Sequence, residues 1–248
     1  MCTVSFLPTP APQTPTLPAS GGFILTSNRD EMASRQRALF PRRYNLNGRT
    51  VFYPKDGLAG GTWIATDEQQ YTLCLLNGAF DAHRHQPPYR HSRGQVIPAF
   101  FSYENEVDFS LHYPFVGLEP FTLVVVAYAS NLTLTELRWD GTTLHRQLLN
   151  AACPYLWSSA TLYPYAIRQK RERWFVEWLQ LQSAYSQEAI VRFHEQTGDG
   201  DPTNALLMQR PNGIRTVSIT SVEHTEQAHR LYYRDLLTET ATTFRILS

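Results

Sequence analysis

Eight consecutive residues, Phe121-Thr122-Leu123-Val124-Val125-Val126-Ala127-Tyr128, are apolar or β-branched and carry no charge. A strand wet on one face would alternate apolar and polar residues, so this run predicts a strand covered on both faces. The chain must therefore build layers on either side of it. Leu132 to Trp139 and Thr142 to Leu149 follow closely and return beside it as a meander. Further strands are expected over 2–7, Gly22 to Ser27, Thr216 to Glu223 and Arg230 to Asp235, and a hairpin over Thr62–Thr66 and Tyr71–Leu76 around the polar turn Asp67-Glu68-Gln69-Gln70.

Helices supply the covering layers. Ser92 to Tyr103 reads as one. Pro164 opens another that runs to Gln182, with Trp174, Trp178 and Leu181 on one face and the pairs Arg168/Glu172 and Arg173/Glu177 four residues apart. Ser186 N-caps a third that ends at His194, where a cation would suit the helix dipole. Residues 8–21 hold five of the 16 prolines and read as an extended surface connector. Strands, helices and strands again, with no internal repeat, predict a single α+β domain over 1–248.

Composition removes several function classes. Lys+Arg 22 against Asp+Glu 22 gives a net charge of +0, so no overall field draws the chain to nucleic acid or to an anionic membrane. The Phe121 run is far shorter than the ~20 residues that span a bilayer, so no membrane span is expected. Three cysteines, Cys2, Cys74 and Cys153, are too few and too scattered for a disulfide framework, and the N-terminus lacks the pattern of a signal peptide. Both point to a cytoplasmic protein.

The residue with most chemical potential is Cys2, directly after the initiator methionine. If Met1 is removed, Cys2 carries a thiol and a free α-amine together. That amine titrates near 7.7–8.0, so roughly a tenth to a fifth is neutral at pH 7 and can take the thiol's proton. One residue then supplies nucleophile and base for acyl transfer through a thioester. The plainer reading of Cys2 is a small hydrophobe in an opening strand. Asn28-Arg29-Asp30-Glu31 ends the next strand. Pairing with 2–7 can bring Asp30 to the α-amine and Arg29 to the thiol; the alternative is a turn with a surface ion pair. Asn77-Gly78 ends the run Leu73 to Leu76. It reads as a tight turn, and equally as an amide aimed at an oxyanion.

These segments in order, MC at the start, SNRDE at 27–31, GGTWIA at 60–65, LLNG at 75–78 and SRG at 92–94, then more weakly WSSA at 157–160 and RTVS at 215–218, resemble the NRDE family, also called the transport and Golgi organisation 2 family. That family is similar to the choloylglycine hydrolase and penicillin V acylase group. The resemblance implies a four-layer αββα sandwich of the N-terminal-nucleophile hydrolase type, with two stacked, mainly antiparallel sheets flanked by helices. It implies Cys2 as nucleophile, Asp30 on its amine, Asn77 in the oxyanion hole and Arg215 as a late active-site arginine. Arg29 stands one place from that group's early arginine, and Asn28, Trp63 and Ser159 fall where substrate would bind. Ser159 departs from the pattern, since the hydrolases carry an asparagine there. It implies neither a cofactor nor a metal.

Two functions fit. The first is an N-terminal-cysteine amidohydrolase or acyltransferase acting on a non-peptide C–N bond, ester or thioester of a small molecule. The second is a carrier on the same scaffold for haem, acyl-CoA or another lipid-like ligand. His83, His85 and His91 lie in a Pro- and Arg-rich stretch that reads as a surface loop rather than a zinc site, and Thr197 to Pro202 reads as a turn rather than a calcium loop.

Overall fold

The computed structural model describes residues 3–9 and 21–247. Two antiparallel sheets stack face to face. The first has six strands in the order β10 (Tyr155–Ser158), β1 (Thr3–Thr9), β2 (Gly22–Met32), β11 (Ile214–His224), β12 (His229–Asp235) and β13 (Thr240–Leu247). The second has seven in sequence order: β3 (Leu39–Leu46), β4 (Arg49–Lys55), β5 (Ile64–Asp67), β6 (Tyr71–Asn77), β7 (Phe121–Ala127), β8 (Thr133–Trp139) and β9 (Leu144–Leu149).

The pleat shows how the layers form. Phe6 and Phe23 turn into the core between the sheets, together with Val4, Leu25, Ile64 and Val124. Their neighbours Leu7 and Ile24 point the other way. There they pack against Phe175 of α3 (Tyr165–Gln180) and against Ile190 and Phe193 of α4 (Gln187–Gln196). On the outer side of the second sheet, Phe100 of α1 (Val96–Phe100) meets Tyr71 edge-on at 5.0 Å, and α2 (Glu106–His112) follows. The result is the expected αββα sandwich. No helix among the described residues is long and apolar enough to cross a membrane.

Several elements differ from expectation. The helix foreseen over Ser92 to Tyr103 is a 3-10 turn at Arg93–Gln95 followed by the single turn and a half of α1, and Asn105 caps the separate α2 by accepting from the Val107 and Asp108 N–H groups. Leu181 lies beyond α3 and is 82% exposed. The fully buried positions of that helix are Arg171 and Phe175 instead. Arg168 reaches Asp81, at 3.5 Å. The hairpin β3–β4 was unforeseen, although Asn47 and Gly48 at its tip both adopt positive φ, 50° and 80°, the signature of the tight two-residue turn. β10 and β13 were unforeseen too.

Candidate active site

One end of the sandwich opens as a cleft of about 430 Å³. Four segments converge there: the end of β2, the β4–β5 connection, the end of β6 and the segment leading into α1. Antiparallel pairing of β1 with β2 sets Thr3 opposite Asn28, and β2 with β11 sets Asp30 opposite Thr216 and Glu31 opposite Arg215. Cys2 itself lies outside the described residues.

Arg29 enters the cleft from β2. Its guanidinium sits 4.6 Å from the Trp63 ring centroid and donates to Asp56 Oδ2 at 2.5 Å. Arg35 binds both oxygens of the same carboxylate at 3.1 Å. Asp56 Oδ1 also accepts from the Leu58 and Ala59 N–H groups. Burial pushes the Asp56 carboxyl up, but the Arg35 hydrogen bond, the Ala59 N–H and the charge of Arg29 outweigh it and hold the group below the usual carboxylate range. The turn that presents Trp63 is therefore pinned to β2 through one buried anion. Trp63 is 4% exposed, and its indole Nε1 has no hydrogen-bond partner among the described residues.

Asp30 lies on the opposite face of β2 from Arg29 and is 3% exposed. Tyr163 donates to its Oδ2 at 2.7 Å and Thr216 to its Oδ1 at 2.5 Å. Asn28 shares that face and is fully buried, so it does not line the cleft. Its amide nitrogen donates to the carbonyls of Leu206, at 2.8 Å, and His194, at 3.2 Å. Its oxygen must then accept from His194 Nδ1, at 2.9 Å, which leaves Nε2 to accept from the Ser5 hydroxyl, at 2.7 Å. His194 is neither a cation at a helix end nor a cleft residue: burial, and then the charge of Arg171, push it down to about 3.

Asn77 lines the cleft at the end of β6. Asn77-Gly78 is no hairpin turn. Gly78, with φ 84°, donates to the Pro120 carbonyl, and a Cβ there would lie 3.0 Å from Thr161 Cγ2 and 3.1 Å from Thr161 N. Glycine is needed for the close approach of this segment. Ser159 is 1% exposed and does not line the cleft; its hydroxyl donates to the Asn77 carbonyl at 2.8 Å. It thus fixes the strand end that carries Asn77. Arg215 is half-buried outside the cleft lining, with its Nε lacking a hydrogen-bond partner among the described residues.

His83 and His85 both meet Glu119 Oε1, at 3.1 and 3.0 Å, and Arg93 meets Oε2 at 3.0 Å. This cluster braces the cleft wall. Among the described residues no group of three or more ligating side chains could hold a metal ion. Tyr163, Thr216, Asp56 and Arg35 were not foreseen as site residues. The local signals were Arg35 four residues after Glu31, and Thr216 within the RTVS segment.

The two stacked sheets between helical layers define the fold of the N-terminal-nucleophile hydrolases. Among solved structures, the chain is similar to a Caenorhabditis elegans N-acylethanolamine-hydrolyzing acid amidase orthologue, with a TM-score of 0.54 and 12% identity over 88% of this chain and 92% of that one. It is also similar to a variant of conjugated bile acid hydrolase from Clostridium perfringens, with a TM-score of 0.50 and 9% identity over 98% and 92%. Residues 1–227 match the family described as Transport and Golgi organisation 2, and the chain belongs to that family. A search of curated proteins finds no significant match.

Proposed function

We propose that the protein is an N-terminal-cysteine amidohydrolase or acyltransferase acting on a small amide, ester or thioester. Cys2, exposed by removal of Met1, attacks the acyl carbonyl and forms a thioester, expelling the amine, alcohol or thiol of the substrate; its α-amine carries the proton from thiol to leaving group. Water or a second acceptor then releases the acyl group. Asp30 orients the α-amine, Asn77 donates to the oxyanion, and Arg29 with Trp63 holds the substrate.

The observation that carries this reading is the state of Asp30. A buried carboxylate with both oxygens held by hydroxyl donors stands two residues from the position paired with Thr3, and Thr3 is bonded to Cys2. The proposal requires Cys2 to continue the pleat of β1 on the face of Val4 and Phe6, toward Arg29.

Ser159 favours the carrier reading in one respect, because its only proton goes to a backbone carbonyl and not toward substrate. The cleft argues the other way. Arg29, Arg35 and Arg93 face Glu31, Asp56 and Glu119 in its wall, which gives haem or an acyl chain little apolar surface. A small polar ligand suits it better.

The test is intact-mass analysis of native protein, followed by labelling with a thiol-reactive probe. The expected result is a chain that begins at Cys2 and is labelled there ahead of Cys153. A retained Met1 overturns the mechanism, since a blocked amine cannot act as base.

A further inference from the structure

Arg171 lies on α3 four residues before Phe175 and is fully buried, a strongly cationic group within the helix-side core. Its hydrogen-bond partners among the described residues are all neutral: Thr3 Oγ1 at 2.5 Å, the Ala205 carbonyl at 2.5 Å and the Asn204 carbonyl at 3.1 Å. A buried cation with no anion nearby is costly, so its counter-charge must lie close. The guanidinium carbon stands 3.5 Å over the Tyr163 ring centroid, and Arg210 approaches the same ring at 5.2 Å. The Tyr163 hydroxyl donates to Asp30. A single phenol thus separates the buried cation from the buried carboxylate. Positive charge against a ring face polarises the phenol and strengthens its O–H as a donor.

The geometry points to Tyr163 and Arg171 as positioning residues for the N-terminal nucleophile. One guanidinium nitrogen grips Thr3, the residue after Cys2. The same group, acting through the Tyr163 ring, fixes the direction of the Asp30 carboxylate. Thr216 holds the other carboxylate oxygen and is itself anchored by the Met208 N–H at 2.9 Å. β1, which begins at Thr3, and the Asp30 carboxylate are thereby clamped by one cation. This inference rests on the proposed Cys2 chemistry. It adds that Asp30 acts only while Tyr163 donates to it.

The test follows alkylation of Cys2 by iodoacetamide in the full-length protein from pH 5 to 9, read by mass spectrometry of the N-terminal peptide, with Cys153 as internal reference. Tyr163→Phe keeps the ring and both stacked arginines and removes only the donor. Its Cys2 rate at pH 7 should fall roughly tenfold and its pH midpoint rise by about one unit, the change expected when a carboxylate no longer holds the α-ammonium whose charge lowers the thiol's pKa. Cys153 should be unaffected. Arg171→Met should give the same shift and Arg171→Lys a smaller one. Thr216→Val carries the same expectation without touching the ring, should Tyr163→Phe fail to fold. Variants whose Cys2 rate and pH midpoint match the wild type overturn the clamp and leave the proposed function standing. A wild-type Cys2 that reacts no faster than Cys153 overturns both.

Discussion

Gly61 and Gly94 are packed backbone to backbone: a Cβ on Gly61 would fall 2.4 Å from both the carbonyl carbon and the oxygen of Gly94. The contact closes with the Thr62 N–H donating to the Gly94 carbonyl at 2.9 Å. It joins the segment that presents Trp63 to the segment that presents Arg93, so two walls of the cleft share one seam. Glycine at 61 is required by this approach and not by its own backbone angles.

Gly61→Ala should therefore destabilise the protein by about 2 kcal/mol or more, as overpacking against rigid backbone does. At this chain length that is a fall in Tm of at least roughly 4–8 °C. Gly94→Ala is the control. Its Cβ would meet the Thr62 carbonyl at 3.3 Å, a contact that small shifts relieve. Thermal melting followed by circular dichroism separates the two; equal melting temperatures would show that the seam is not tight.

How far the sequence discloses such features depends on whether the cause is local. Phe121 to Ala127 is legible because burial on both faces leaves no charged position along the strand, and the Asp67 to Gln70 turn because its polar residues interrupt two apolar runs. Asn-Gly shows the limit. Asn47-Gly48 makes a two-residue hairpin while Asn77-Gly78 makes a strand end packed on Thr161, and nothing within either dipeptide separates the two uses. Asp30 and Asn77 are visible as polar residues ending apolar strands. Tyr163 is not, because its bond to Asp30 spans a sequence separation of 133 residues. Arg171 left one trace, a cation at the position where α3 turns its apolar stripe inward with Phe175.

Cys74 and Cys153 should differ sharply in reactivity. Burial pushes the Cys74 thiol up to about 12, against a smaller opposing effect of its hydrogen bond with Ser27. Cys153 is exposed. In native protein at pH 8, N-ethylmaleimide should modify Cys153 within minutes and leave Cys74 untouched until denaturant is added. Peptide mapping with and without urea checks this. Modification of Cys74 in the folded protein at a rate near that of Cys153 would mean that the two sheets part readily.

Two histidines should make stability fall in mild acid. Burial and then Arg171 hold His194 at about 3, while burial and then His224 hold His229 at about 3, both well below the ordinary 6.5. Below pH 6.5 the unfolded chain takes up protons at these positions and the native chain does not. Stability is therefore undiminished above that pH and is lost as pH falls toward 3. The loss is roughly 2 kcal/mol for each histidine between pH 7 and pH 5. Urea unfolding at the two pH values measures it, and His229→Gln should reduce the dependence. Stability that is flat or rises on acidification would contradict the burial of these rings.

The ion pair beneath Trp63 tests how the cleft is held. Arg29 and Asp56 have side chains only 7% and 12% exposed, so removing one partner leaves the other's charge in a poorly solvated site. Asp56→Ala removes the nearer carboxylate from both arginines, leaving them only the longer contacts to Glu31 at 3.8 and 3.5 Å, and takes the acceptor from two turn N–H groups, so it should destabilise by about 3 kcal/mol. Asp56→Asn keeps an acceptor for the Ala59 N–H and should lose less. Arg35→Ala should be mild, because Asp56 stays paired with Arg29 and the Arg35 side chain, 27% exposed, is the more solvated of the two cations. Because the chain holds five tryptophans, the Trp63 contribution is read as the fluorescence difference from a matched Trp63→Phe protein: it should move to longer wavelength in Asp56→Ala, as the ring loses its tether to β2, and stay in place in Arg35→Ala. An Asp56→Ala protein with wild-type stability and an unmoved Trp63 spectrum would show that this carboxylate does not hold the cleft together.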